Sequence, residues 1–89
     1  MRRIIQRTKF RRDYKRQKRR GKNTDKLNTV VAMLSSDEIL DITYRTHKLS
    51  GKYEGFWECH IESNWLLIYD VTDEEVLLVR TGAHADLFE

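Results

Sequence analysis

Phe56-Trp57-Glu58-Cys59-His60-Ile61, Trp65-Leu66-Leu67-Ile68-Tyr69-Asp70 and Glu75-Val76-Leu77-Leu78-Val79-Arg80-Thr81, separated by Glu62-Ser63-Asn64 and by Val71-Thr72-Asp73-Glu74, decide the fold of this chain. Three short runs of aliphatic and aromatic residues parted by polar turn residues predict consecutive strands in an antiparallel meander. Alternation puts Phe56, Glu58 and His60 on one face of the first strand and Trp57, Cys59 and Ile61 on the other, so the second set reads as core. The same count on the last strand groups Val76, Leu78 and Arg80, with the guanidinium ending an apolar row where it could grip a phosphate.

Upstream, residues 35–55 carry no clear period: Ser35-Ser36-Asp37-Glu38 reads as a loop, Ile39-Leu40 as a candidate insertion into the core, and Ser50-Gly51-Lys52 and Glu54-Gly55 as turns, with His47 among them. Before that stretch, Leu27, Val30, Val31 and Leu34 recur at i, i+3, i+4 and i+7 in a helix opened by Thr24. An earlier helix is expected over residues 8–20, capped by Thr8, closed at Gly21, and anchored by Phe10, Tyr14 and Gln17 on one face. Ile4-Ile5 suggests a short opening strand. The order is β-α-α-β-β-β, an α+β domain spanning residues 1–89 with two helices packed on one face of a small, mainly antiparallel sheet.

Eighty-nine residues suffice for one modest core. Charge divides the chain. Residues 1–22 hold 12 Lys/Arg against Asp13 alone (+11), and residues 23–89 hold 5 Lys/Arg against 13 acids (−8), which sum to +3. A segment that basic attracts polyanions, so RNA or the ribosome is the expected partner of Arg11, Arg12, Lys15, Arg16, Lys18 and Arg19. A solvated helix face, or a docking patch for an acidic protein, is the plainer reading of the same run. No apolar run approaches the roughly 18 residues of a membrane span, and no apolar signal segment is visible at the N-terminus. One cysteine cannot form an intramolecular disulfide, so a reducing cytoplasmic setting without a membrane partner is the default expectation.

Three histidines, His47, His60 and His84, supply groups that titrate near neutrality. Zinc is the tempting alternative. Cys59 and His60 are adjacent on a strand and point to opposite faces, and no C-x-x-C or H-x-x-x-H spacing exists, so neither a metal, a cofactor nor a cysteine–histidine nucleophile is expected.

Taken in order, His47-Lys48-Leu49-Ser50-Gly51-Lys52, Glu58-Cys59-His60-Ile61, Trp65-Leu66-Leu67-Ile68-Tyr69 and Arg80-Thr81-Gly82-Ala83-His84-Ala85-Asp86-Leu87-Phe88 resemble the YafQ-type branch of the RelE superfamily, the toxins of bacterial type II toxin–antitoxin pairs. The resemblance covers essentially the whole chain. It implies a microbial-ribonuclease-like fold, endoribonuclease cleavage of messenger RNA in the ribosomal A site, and neutralisation by a cognate antitoxin. It also implies His84 as general acid, His60 and His47 as base or transition-state stabilisers in an order left open, Trp65 and Phe88 as base contacts, and Lys48, Lys52 and Arg80 as phosphate contacts.

Those residue types suit metal-free RNA cleavage. A base must take the 2′-hydroxyl proton, an acid must protonate the departing 5′-oxygen, and cations must steady the phosphate. One residue departs from the pattern: Asn64 stands where the family carries an aspartate, and an amide cannot act as a general base. Activity is therefore attenuated if that aspartate is the base, unless Glu58 or an imidazole substitutes. Ser63, in place of the usual proline, favours natural divergence over a laboratory substitution. Two rivals remain, a gyrase poison on the same scaffold and a non-catalytic ribosome- or RNA-binding module built on the basic helix. The histidines favour cleavage.

Overall fold

A computed structural model describes all of residues 1–89. Strand β1 (Arg3–Gln6) leads into helix α1 (Thr8–Arg19) and helix α2 (Thr24–Ser35), and β2 (His47–Lys48), β3 (Trp57–Glu62), β4 (Trp65–Val71), β5 (Glu75–Gly82) and a short helix α3 (His84–Phe88) follow. Single 3-10 turns at Ile42–Tyr44 and Gly51–Tyr53 flank β2. The five strands form one sheet in the order β1-β5-β4-β3-β2, with β1 parallel to β5 and every other neighbour antiparallel. The expected α+β fold is therefore present, with β2 and α3 added. Two and five residues long, these elements are too short to show a period in sequence.

Local chemistry explains the helix boundaries. At the end of α1 the Gly21 and Lys22 amides donate to the Lys18 and Gln17 carbonyls, a Schellman arrangement that needs the left-handed φ of +82° at Gly21. Arg7, not Thr8, occupies the N-cap position, and no side chain caps there. Helix α2 is capped by Asn23, whose side chain accepts from the Asp25 amide. Asp37 takes a positive φ and Ile39 is 95% exposed, so the expected insertion of Ile39 into the core does not occur; Leu40 alone packs against it.

Both faces of the sheet are covered, unequally. On the helix side Phe10 of α1 and the Leu27, Val30, Val31 and Leu34 stripe of α2 close over Cys59, Trp65, Leu67, Tyr69, Val76 and Leu78. Each such side chain is worth about 1.5–3 kcal/mol when fully buried, so this face supplies most of the hydrophobic stabilisation. A smaller cluster on the other face gathers Tyr53, Leu66, Ile68, Val79 and Leu87.

Two bulges correct the simple alternation. Tyr69 pairs with Leu78 but Ile68 pairs with Arg80, so Val79 is an extra residue in β5. Val79 and Arg80 therefore both lie on the sheet face of Leu66 and Ile68, and Arg80 does not share a face with Val76 and Leu78 as alternation alone would have it. A second shift between His60 and Glu62 turns Glu62 toward the helices, where Lys22 and Lys26 meet its carboxylate at 3.2 and 2.9 Å.

Candidate functional site

Register brings the chemistry into line. Arg80 lies opposite Ile68, Ile68 opposite Glu58, and Glu58 opposite His47, a row running across four strands on the face away from the helices. The next row is Gly82, Leu66 and His60, with His84 two residues beyond Gly82 at the start of α3. Four short elements thus deliver two histidines, one carboxylate and one guanidinium to one surface, and the third histidine to its edge.

Glu58 is the centre of this row and is only 5% exposed. His60 Nε2 approaches Glu58 Oε1 at 3.5 Å, and His47 Nε2 approaches Oε2 at 3.9 Å, with the two imidazole centroids 6.4 Å apart. The other nitrogens fix the tautomers. His47 Nδ1 lies 2.9 Å from the Arg45 carbonyl, which only accepts, so Nδ1 carries the proton and a neutral His47 presents its Nε2 lone pair. Arg45 adopts a left-handed φ of +50° at this bend. His60 Nδ1 is buried without a partner, so a neutral His60 carries its proton on Nε2, toward Glu58. One imidazole offers Glu58 a hydrogen and the other offers a lone pair.

Across β4, His84 is exposed on the first turn of α3 and its ring lies 4.8 Å from that of Phe88. Phe88 meets Tyr53 edge-to-face at 5.6 Å. The backbone amide of His84 donates to Asn64 Oδ1 at 3.0 Å, so the β3–β4 turn clamps the start of α3. Asp86 accepts from the Ala83 amide and forms a two-pronged pair with Arg20 at 2.7 and 3.2 Å. That guanidinium lowers the Asp86 carboxyl to about 2.

Arg80 is held by a residue that sequence reading passed over. Asp13, on the buried side of α1, accepts from Arg80 Nε at 2.6 Å and Nη2 at 3.1 Å, and takes the Thr81 amide as well. Hydrogen bonding to Asp13 raises the Arg80 pKa further, and Arg80 Nη1 also reaches the Tyr53 hydroxyl at 3.2 Å. The only signal for Asp13 was its position as the single acid among 12 basic residues.

Two expected contacts move elsewhere. Trp65 is completely buried on the helix side, its Nε1 donating to Thr81 Oγ1 at 3.0 Å, so the ring is unavailable to stack on a base. Lys48 pairs with Trp57 on β3 and lies over that ring at 5.5 Å, on the face opposite His47, so it does not line the row. Lys52 and Phe88 stay on the Glu58 side. Cys59 is buried with its thiol pushed up to about 12, unsuited to nucleophilic work. No group of three His, Cys, Asp or Glu side chains is close enough to hold a metal ion.

Arg11, Arg12, Lys15, Lys18 and Arg19 are exposed along α1, Arg16 is half-buried, and none of the six forms a salt bridge. No helix is long and apolar enough to cross a membrane.

Two helices on one side of a small mixed sheet and a polar histidine row on the other are the frame of a small toxin of a type II toxin–antitoxin system. A family model described as the bacterial toxin of type II toxin–antitoxin systems, YafQ, matches residues 2–89. The chain belongs to the YafQ toxin family. It is 35% identical over 80 residues to the mRNA interferase toxin YafQ of Escherichia coli strain K12, covering 89% of this chain and 87% of that protein. The crystal structure of the E. coli DinJ-YafQ toxin–antitoxin complex contains a chain that superposes with a TM-score of 0.91 at 34% identity, covering 99% of this chain and 98% of that one. A copper-bound mutant toxin from Helicobacter pylori matches with a TM-score of 0.92 at 35% identity, over 99% of this chain and 100% of that one.

Proposed function

We propose that this chain is an mRNA interferase, an endoribonuclease that cuts messenger RNA presented in the ribosomal A site and is silenced by a cognate antitoxin. The observation that carries the reading is the buried Glu58 carboxylate, flanked by the His47 and His60 imidazoles on the row that ends at Arg80. The K12 relative's name as an mRNA interferase supports the reaction class, and the E. coli complex with DinJ supports the partner. Ribosomes and messenger RNA put the site of action in the cytoplasm.

In the proposed reaction Glu58 takes the proton of the 2′-hydroxyl, whose oxygen attacks the adjacent phosphorus. His60 orients the carboxylate through its Nε2 hydrogen, and His47, once it carries a second proton, shares the charge that builds on the phosphate. Arg80 and Lys52 steady the non-bridging oxygens. His84, protonated, gives its proton to the 5′-oxygen as the P–O bond breaks, leaving a 2′,3′-cyclic phosphate and a free 5′-hydroxyl. Acid and base both come from side chains, so the scheme has no step that needs a metal. Asn64 is not asked to accept a proton, because its carbonyl oxygen is occupied by the His84 amide. On this scheme an aspartate at that position is dispensable as a base. Phe88 holds the substrate's base beside His84.

The test is primer-extension mapping of a reporter messenger RNA in a purified translation system. The wild-type chain is expected to cut at A-site codons, and His84→Ala and Glu58→Gln to lose at least about 100-fold in rate. Undiminished cutting by His84→Ala would sink the assignment, and DNA damage with intact messenger RNA would point to a gyrase poison instead.

A further inference from the structure

A cavity of about 590 Å³ opens beside the catalytic row at its Arg80 end. Its volume falls within the roughly 300–1,000 Å³ of small-ligand sites. Four cations surround it, Arg7, Lys9, Lys52 and Arg80, with Tyr53 and Phe56 among its walls, and no carboxylate lines it. Arg7, Lys9 and Lys52 form no salt bridge anywhere in the protein. Arg7 rests instead over the Phe56 ring at 5.3 Å, and Lys52 over Tyr53 at 5.4 Å. Cations parked on aromatic faces, with no counter-charge beside them, describe a site that lacks an anion and a flat ring at once.

We propose that this cavity is a second nucleotide subsite, in which Arg7 and Lys9 bind the phosphate next to the scissile one and the Phe56 ring stacks on the base attached to it. The assignment rests on the ribonuclease reading of the catalytic row. Geometry sets the spacing. Arg80 and Glu58 are two strand positions apart on the sheet, about 10 Å, a distance that one or two nucleotides of an extended strand cover. Arg80 belongs to both places, since its Nη1 faces Tyr53 at the cavity wall while its Nε is fixed by Asp13. Arg7 has to leave the Phe56 face for a base to stack there, and its exposed side chain makes no hydrogen bond that would hold it back. Stacking on Phe56 is tolerant of base identity, whereas the phosphate contacts carry the salt dependence.

The experiment uses the full chain labelled with nitrogen-15 and a hexanucleotide of 2′-O-methyl RNA, which cannot be cleaved through a 2′-hydroxyl. Titration is expected to shift the amides of Arg7, Thr8, Lys9 and Phe56 together with those of Glu58 and His60. The Arg7→Ala/Lys9→Ala variant is expected to weaken binding about 10-fold and to lower the salt slope by about 0.7, the value for one phosphate contact on a single strand. Phe56→Leu is expected to weaken binding about 5-fold with the slope unchanged, because it removes stacking alone. Inorganic phosphate titrated by itself is expected to move Arg7 and Lys9 but leave Phe56 in place. Shifts confined to the exposed side of α1, or no shifts, would overturn the subsite. Unchanged affinity in both variants would do the same. A parallel His84→Ala assay separates the two levels of the argument: cutting that depends on His84 while the cavity variants bind normally rejects the subsite alone, and cutting independent of His84 rejects the reading beneath it.

Discussion

Asn64 shows how one side chain can matter to a reaction without taking part in it. Its carbonyl oxygen accepts the His84 amide, so it sets where the imidazole starts from. Removing that acceptor in Asn64→Ala is expected to slow cleavage about 10- to 100-fold, since small misplacements of a reacting group are costly, with little change in melting temperature. Asn64→Asp keeps the acceptor and is expected to cut at close to the wild-type rate. Single-turnover cleavage of ribosome-bound messenger RNA measures both, and a large gain in Asn64→Asp would return the base to that position. At this scale the sequence was partly legible. Alternation correctly grouped Glu58 with His60, because β3 is regular up to its bulge. It could not place Trp65, since an aromatic at a strand end reads alike whether it is packed or exposed.

Helix α1 is bound to the catalytic elements twice, and neither tie could be read from the chain. Asp13 and Arg80 are 67 residues apart, and Arg20 and Asp86 are 66. Asp13→Ala strands a mostly buried guanidinium and the Thr81 amide, and is expected to cost about 3–5 kcal/mol, read as a lower midpoint in urea. A double variant in which Arg80 is also replaced by Met is expected to recover part of that loss, because the stranded charge is gone. The second tie titrates. Asp86 sits at about 2 in the folded chain against an ordinary 3.8, so its contribution is whole above about pH 4 and fades as pH falls toward 2. Because Arg20 is exposed, solvent screens the pair, and Asp86→Asn is expected to flatten the acid limb of a stability-versus-pH curve only slightly.

Over the whole molecule, charge and architecture were the readable quantities. The helical stripe of Leu27, Val30, Val31 and Leu34 and the three-strand run each report a period that packing then uses, so the layered α+β arrangement follows from them. The four-strand row did not follow, because it depends on a two-residue strand and on a register shift, and neither leaves a pattern in the residues. Of the positive charge before residue 23, Arg11, Arg12, Lys15, Lys18 and Arg19 face solvent along α1 and none of these five forms a salt bridge. Reversing Arg11, Arg12, Lys15 and Arg16 is expected to weaken ribosome association and make it less salt-dependent, while the chemistry at Glu58 and His84 stays intact. Co-sedimentation with ribosomes over a range of salt concentrations measures this, and affinity retained at physiological salt would count against α1 as the docking face.

The extra residue at Val79 carries a consequence for how such a chain can vary in length. Every position after it, through Arg80 and the Asp13-bound Thr81 to His84, owes its facing direction to that one insertion. Losing a residue within β5 would turn the guanidinium into the hydrophobic interior and leave the Asp13 carboxylate without its partner. Adding or deleting residues in the exposed Thr72-Asp73-Glu74 hairpin tip would leave all of this untouched. Tolerance to insertion is thus expected to switch from permissive to forbidden within a few residues, with β5 behaving like a reading frame that is set once and must be kept to the end of the chain.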